Sequence, residues 1–368
     1  MIYADNAATT KLDIDAFEAM KPFLLEEYGN ASQPYSFASS AKRALKKARE
    51  TIANCIGAFP DEIYFTSGGT ESDNWVIKIA SDEGDIITSV IEHHAILNAC
   101  NEMEKKGKSV IYVPVSKEGI VEIEYLENSI TEKTKLISIM YANNEIGTIQ
   151  PIKQIAEIAH KRNCLFHTDA VQAVGHVHIN VHDLDIDFLS ASAHKFNGPK
   201  GVGFLYVKRG VQISAYFNGG SQEKDLRAGT ENVAGIVAMA VALEKNCNCI
   251  NENADKIKKL EKIFINKLDD SGVDYIRNGG ENRIPGNINI SFTGIEGEMI
   301  LHRMDIKKIC IATGAACDSV NMKISHVLKA ICVPEEYAKG TIRISLGKDN
   351  TEQEVMMLTD ELLEIVSY

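Results

Sequence analysis

Short apolar runs alternate with stretches in which apolar residues recur every three or four positions from about Ile63 to Lys208. The runs Ile63–Thr66, Asp85–Val90, Ser109–Val115, Lys135–Tyr141, Cys164–Asp169, Asp187–Ala193 and Gly203–Val207 predict strands. Between them, Glu71–Ala80, His94–Lys106 and Ile152–Arg162 carry the helical period. The alternation predicts an α/β domain with a mainly parallel seven-stranded sheet covered by helices on both faces. After Gly229 the pattern changes. A helical region runs from about Asn232 to Leu268, with a break near Cys247–Asn251. Strands near Asn287–Phe292, Ile309–Thr313 and Ile342–Leu346 then alternate with helices near Gly297–Arg303, Lys323–Ile331 and Thr351–Val366. These form a smaller α+β C-terminal domain. The expected division is residues 15–255 for the large domain, with 1–14 and 256–368 for the small one. No internal repeat, low-complexity tract or disordered linker interrupts the pattern.

Composition narrows the classes. A chain of 368 residues that is 45% hydrophobic has ample material for a large core. Its formal charge of −12, with no basic run, argues against nucleic acid as a partner. No window is apolar and uncharged for long enough to span a membrane. Met1-Ile2-Tyr3-Ala4-Asp5 lacks the charged and apolar regions of a signal peptide. The eight cysteines form no CxxC pair, so neither a structural metal nor a disulfide framework is expected. Reduced thiols and a cytoplasmic location follow as expectations. Most of the cysteines read as small core hydrophobes, with Cys247-Asn248-Cys249 on a helix surface.

The chemistry gathers at predicted strand ends. Asp187-Phe188-Leu189-Ser190-Ala191-Ser192-Ala193 reads as a buried central strand, and Asn197-Gly198-Pro199 breaks the chain after it. Lys195 therefore stands where open α/β sheets hold their ligands. A lysine beside a buried sheet edge can lose its proton and form a Schiff base with an aldehyde such as pyridoxal phosphate. A lone lysine is more often an ordinary surface residue, so its company matters. Thr66-Ser67-Gly68-Gly69-Thr70-Glu71-Ser72 follows a strand and opens a helix, which suits an anion, with Thr70 as a hydroxyl donor and N-cap. A plain capped turn is the alternative. Asp169 ends another buried strand in His167-Thr168-Asp169-Ala170-Val171-Gln172, where a carboxylate needs a cation such as a protonated ring nitrogen; capping the next helix is the alternative. Glu92-His93-His94 and Asn143-Asn144 follow two further strands. An imidazole there could stack on a cofactor ring, or simply open a helix.

These motifs resemble the cysteine desulfurases of the NifS/IscS-like group, within the class V aminotransferase fold of pyridoxal-phosphate enzymes (transferase fold type I). The resemblance covers nearly the whole chain. It runs from Tyr3-Ala4-Asp5-Asn6-Ala7-Ala8-Thr9-Thr10 through TSGGTESDN, NNEIG, HTDAVQ, SAHKFNGPKG, GGSQEKDLRAGTEN and TGAACDS to TIRISLG. It implies that Lys195 is the Schiff-base lysine, His93 the ring-stacking imidazole and Asp169 the partner of the pyridine nitrogen. Gln172 and Asn144 would contact the ring oxygen and substrate region. Gly69, Thr70, Ser192 and His194 would belong to the phosphate cradle, joined by Thr230 from a second copy in a homodimer. Arg343 would clamp the substrate carboxylate, and Cys317 in Gly314-Ala315-Ala316-Cys317 would be the nucleophile.

The implied reaction converts L-cysteine to L-alanine. Sulfane sulfur would pass to Cys317 as a persulfide and then to an acceptor protein, either an iron–sulfur scaffold or a thiolation enzyme. Selenocysteine lyase, aminotransferase and non-catalytic sulfur carrier are the alternatives. Two positions depart from the family. Tyr35 stands where histidine is common, and Asp318 follows the cysteine where Ser or Thr is usual. Family members that serve iron–sulfur scaffolds often extend beyond the position of Tyr368.

Overall fold

The computed structural model describes residues 1–313 and 324–367, apart from the side chains of 81–83. Cys317 and Asp318 lie outside the described residues. The chain opens with β1 (Ile2–Tyr3) and two helices, Ile14–Leu25 and Ser39–Ile56. The large sheet follows: β2 (Ile63–Thr66), β3 (Asp85–Ser89), β4 (Val110–Val113), β5 (Thr134–Ser138), β6 (Leu165–Asp169), β7 (Phe188–Ser192) and β8 (Gly203–Val207). Their order across the sheet is β2-β8-β7-β6-β5-β3-β4. Only β8 runs antiparallel to its neighbours; the other pairings are parallel. The mainly parallel seven-stranded sheet of the sequence reading is present.

Alternation along the strands gives the sheet two covered faces. Ile87, Ile137, Leu189 and Phe204 turn to one side, into a core shared with helices Ser39–Ile56, Ile152–Lys161 and Val233–Asn248. Ile86, Leu136, Phe188 and Leu205 turn to the other, against Trp75, Ile77, Ile96 and Cys100 of helices Gly69–Glu83 and His94–Lys105. A second lobe is built on β9 (Tyr275–Arg277), β10 (Asn287–Phe292), β11 (Ile309–Cys310), β12 (Ala312–Thr313) and β13 (Gly340–Ser345). Its four-stranded antiparallel sheet, β12-β13-β10-β9, packs Ile288, Ile290 and Ile344 on Phe264 and Leu358 of helices Ile250–Asp270 and Glu352–Val366.

The structure corrects several sequence expectations. The predicted strand Ile309–Thr313 is two strands, because β11 pairs with β1 while β12 pairs with β13. The N-cap of helix Gly69–Glu83 is Gly68, at φ 149°, and not Thr70, which lies in the first turn. Among the described cysteines only Cys100 and Cys164 are fully buried. Cys247 does not lie on a helix surface but turns inward, its Sγ 3.9 Å from the Cys55 carbonyl. No single helix among the described residues is long and apolar enough to cross a membrane.

Candidate active site

Each parallel strand delivers its last residues to the same edge of the sheet, so side chains distant in sequence converge there. A cavity of about 350 Å³ opens at this edge. Gly69, Thr70, His93, Asn144, Asp169, Gln172, Ser192, His194, Lys195 and Arg343 line it, as do Asp73 and His326. Thr230 is exposed and is not among the lining residues of this single chain.

Lys195 sits in the short turn Ala193–Lys195 that leaves β7. Its Nζ donates to the carbonyls of Ala7 at 2.6 Å and Ala8 at 2.9 Å, so the N-terminal segment closes the cavity from the second lobe. Gln172 Nε2 reaches the same Ala7 carbonyl at 3.0 Å. Asp169 ends β6, and its Oδ1 accepts from Val171 N at 2.9 Å. No helix follows Asp169, so this contact closes a turn and does not cap a helix, and the carboxylate still borders the cavity. Burial raises its pKa, opposed by His93 and Lys195. It is a carboxylate still short of positive charge.

His93 is the N-cap of helix His94–Lys105, with Nδ1 accepting from Ala95 N at 3.1 Å. When the ring is neutral its proton therefore sits on Nε2. Burial lowers its pKa despite Asp169. Burial and the Lys195 charge push His194 down to about 4, and its Nδ1 lies 3.1 Å from Thr9 Oγ1. Opposite them, Arg343 of β13 donates to the Asn144 carbonyl at 3.0 Å and pairs with Asp5 at 2.7 Å. Its buried Nε has no partner among the described residues.

The cradle at the start of helix Gly69–Glu83 depends on glycine. A Cβ on Gly69 would stand 2.5 Å from Val171 Cγ2. Gly68 has a backbone that favours glycine, and a Cβ there would meet Ser192 Oγ at 3.3 Å. Glu71 of the first turn receives Ser67 N at 2.8 Å and both Nε and Nη2 of Arg227, which ties the segment bearing Thr230 to the cradle. This helix N-terminus, with Ser192 and His194 beside it, suits an anion. Among the described residues no group of His, Cys, Asp and Glu is arranged to hold a metal ion.

The sequence reading missed the polar group at the floor. Asp73, which borders the cavity, is buried, as are Glu92 and His167. His167 is named in the HTDAVQ motif, but its neighbours became evident only from the strand register that sets it beside Ser138 and Phe188.

A class of enzyme emerges from this fold and this lysine-centred edge. The chain belongs to the aminotransferase class-V family, whose model matches residues 2–358. Within that family it is similar to cysteine desulfurases. Cysteine desulfurase IscS of Dictyoglomus turgidum is 47% identical over 371 residues, covering 99% of this chain and 94% of the relative. The solved structure of a NifS-like protein matches with a TM-score of 0.94 at 39% identity, over 100% of this chain and 99% of that one. The structure of SspA in complex with cysteine matches with a TM-score of 0.84 at 35% identity, over 95% of this chain and 100% of that one.

Proposed function

We propose that this protein is a pyridoxal-phosphate-dependent cysteine desulfurase. It converts L-cysteine to L-alanine and passes the sulfane sulfur through Cys317 to an acceptor protein. The observation that carries the reading is the facing set of Lys195, Asp169 and Arg343 around one cavity, in a chain 47% identical to a cysteine desulfurase.

The site fits the cofactor. Asp169 is a buried carboxylate short of a cation, which a protonated ring nitrogen provides. The glycine cradle, with Thr70, Ser192 and His194, fits a phosphate, and a Cβ on Gly69 would intrude on the wall of that cradle. His93 would stack on the ring, and Gln172 and Asn144 would contact the ring oxygen and the substrate. When bound, the cofactor supplies an electron sink for the carbanion formed at the substrate α-carbon.

The chain's own residues do the rest. Arg343 binds the substrate carboxylate through its fork. Lys195 Nζ takes the α-proton and later returns it to the α-carbon. The Cys317 thiolate attacks the substrate sulfur: an S–S bond forms, the C–S bond breaks, its electron pair stays on the β-carbon, and that carbon takes up a proton in place of the one the substrate thiol gives up. Alanine leaves and Cys317 keeps the sulfur as a persulfide until an acceptor thiolate takes it. We assign Thr230 to the phosphate site of a neighbouring subunit in a homodimer. Free cysteines throughout the described residues fit a cytoplasmic setting. Iron–sulfur cluster assembly or thiolation is the fitting destination for the sulfur.

The test is to incubate the purified protein with L-cysteine and a reductant and to quantify alanine and sulfide together. Equal amounts over many turnovers are expected. A keto acid in place of alanine would move the protein to the aminotransferases. Cys317→Ala should retain the cofactor and release no sulfide, whereas Lys195→Ala should lose the Schiff-base absorbance.

A further inference from the structure

At the cavity floor, with Asp73 as one of the lining residues, lies a group of polar side chains that the proposed chemistry does not call upon. Asp73, in helix Gly69–Glu83, is 1% exposed, and its Oδ1 has no hydrogen-bond partner among the described residues. The basic group facing it is His167 on β6, with Nε2 3.7 Å from Oδ1. His167 is fully buried between two hydroxyls. Its Nδ1 lies 2.8 Å from Ser138 Oγ on β5, and its Nε2 lies 3.0 Å from Ser190 Oγ on β7. The Ser190 hydroxyl also acts on the Asp73 carboxyl. The other ionisable groups around the pair are Asp169 on β6 and Glu92 in the turn after β3, both acids. His93 and Lys195 act on Asp169 from the far side.

An ionised Asp73 would need a cation, and the geometry denies it one. Burial pushes His167 down to about 3, so the ring is neutral at physiological pH. Burial, then the charge of Asp169, push the Asp73 carboxyl well above the usual carboxylate range. A buried carboxylate with an unpartnered oxygen beside a second carboxylate is strongly disfavoured.

We propose that Asp73 is a positioning residue that holds a proton at neutral pH. This proton fixes His167 in its Nδ1–H tautomer and leaves Asp169 as the charged carboxylate of the site. A neutral imidazole has one N–H and one acceptor nitrogen. In the proposed state Nδ1–H donates to Ser138 Oγ, and Nε2 accepts from the Ser190 hydroxyl. If Asp73 were charged, the Ser190 hydroxyl would turn to it and Nε2 would have to carry the proton. Both arrangements satisfy the ring, so the state of Asp73 selects between them. The role given to Asp169 rests on the proposed function; the protonation of Asp73 and the tautomer of His167 do not.

The test uses the holoenzyme and two spectroscopic readouts. Infrared difference spectra between the parent and Asp73→Asn should show loss of one protonated-carboxyl stretch. Glu92, pushed up to about 8, contributes its own protonated band at neutral pH, and the difference removes it. Nitrogen NMR should find His167 as Nδ1–H in the parent. Asp73→Asn, a neutral isostere, should keep that tautomer and the pH profile of the cofactor absorbance, whereas a structural role alone predicts neither. An Nε2–H tautomer in the parent, or no carboxyl band lost in Asp73→Asn, overturns the proposal. The parent tautomer decides alone if the variant fails to fold. A protein giving both signals but making no alanine would fail the proposed function and keep this inference.

Discussion

At the scale of single residues, Arg343 shows how charge and geometry divide their work. It is 4% exposed, yet among the described residues only two of its donor atoms are engaged, one by Asp5 and one by a carbonyl. A guanidinium that borders the cavity, with Nε unpartnered among the described residues, can turn its donors to a carboxylate. Charged hydrogen bonds of this kind contribute about 1.5–3 kcal/mol, so Arg343→Ala should raise KM for L-cysteine by roughly ten- to a hundredfold. Arg343→Lys should not rescue it, because a point charge cannot reproduce the fork. Alanine formation across a range of L-cysteine concentrations measures both; an unchanged KM would remove Arg343 from the substrate site. Thr70, His93, Asn144, Asp169 and Lys195 were legible in the sequence because each ends or follows a strand at the edge where ligands bind, whereas Gln172, Ser192, His194 and Arg343 came from the resemblance. Asp73 was legible in neither way. Three residues beyond Thr70 it reads as one more polar position in a helix's first turn, and only packing of that helix onto β6 and β7 buries it.

Elements were legible where an apolar run belongs to one sheet. β2, β8 and β10 have the predicted limits. The run Ile309–Thr313 was not divided in advance, because its break comes from two partners, β1 and β13, and not from any local signal. The end of helix Ile152–Lys161 shows the same dependence on tertiary partners. There His160 places Nδ1 2.7 Å from Asp185 and Nε2 2.7 Å from Asp187. With both nitrogens donating to carboxylates the ring is an imidazolium. Burial opposes that charge, but the two aspartates outweigh it and the His160 pKa is raised. A raised folded-state pKa means the stabilisation is fully present below the ordinary histidine value, about 6.5, and is lost as pH rises through the folded value. His160→Gln should therefore cost about 1–3 kcal/mol near pH 6 and progressively less in alkali. Urea unfolding of both proteins from pH 6 to 9 reads the difference, and a cost that grows with pH would contradict the assignment.

In the whole molecule, the lobes meet through an apolar cluster, where Ile91, Met140 and Ile146 pack with Val327, Leu328 and Ile331, and through a polar seam along which the first residues of the chain run. Ile2 and Ala4 belong to the core of the second lobe. Asn6 N donates to Ser345 at 3.1 Å in that lobe, while Thr10 N donates to His194 at 2.9 Å in the first. Between these points the small Ala7 side chain is buried but belongs to none of the apolar clusters, and the Lys195 ammonium gathers the Ala7 and Ala8 carbonyls. Composition and periodicity do not reveal such a seam, since it depends on carbonyls that any residue could supply. The same lysine that would take the α-proton thus also closes the lobes, so its chemistry and the fit of the strap are coupled. Each of the two charged hydrogen bonds contributes about 1.5–3 kcal/mol, and 1.4 kcal/mol is a factor of ten in a local opening equilibrium. With both proteins free of cofactor, Lys195→Ala should therefore speed amide exchange at Asn6, Ala8, Thr9 and Thr10 by at least about tenfold. Exchange in β5, β6 and β13 should stay as it was, because their ladders do not involve the lysine. Equal protection of the strap in the two proteins would show that Lys195 does not hold the lobes together. Faster exchange everywhere would mean that the substitution had loosened the cores themselves.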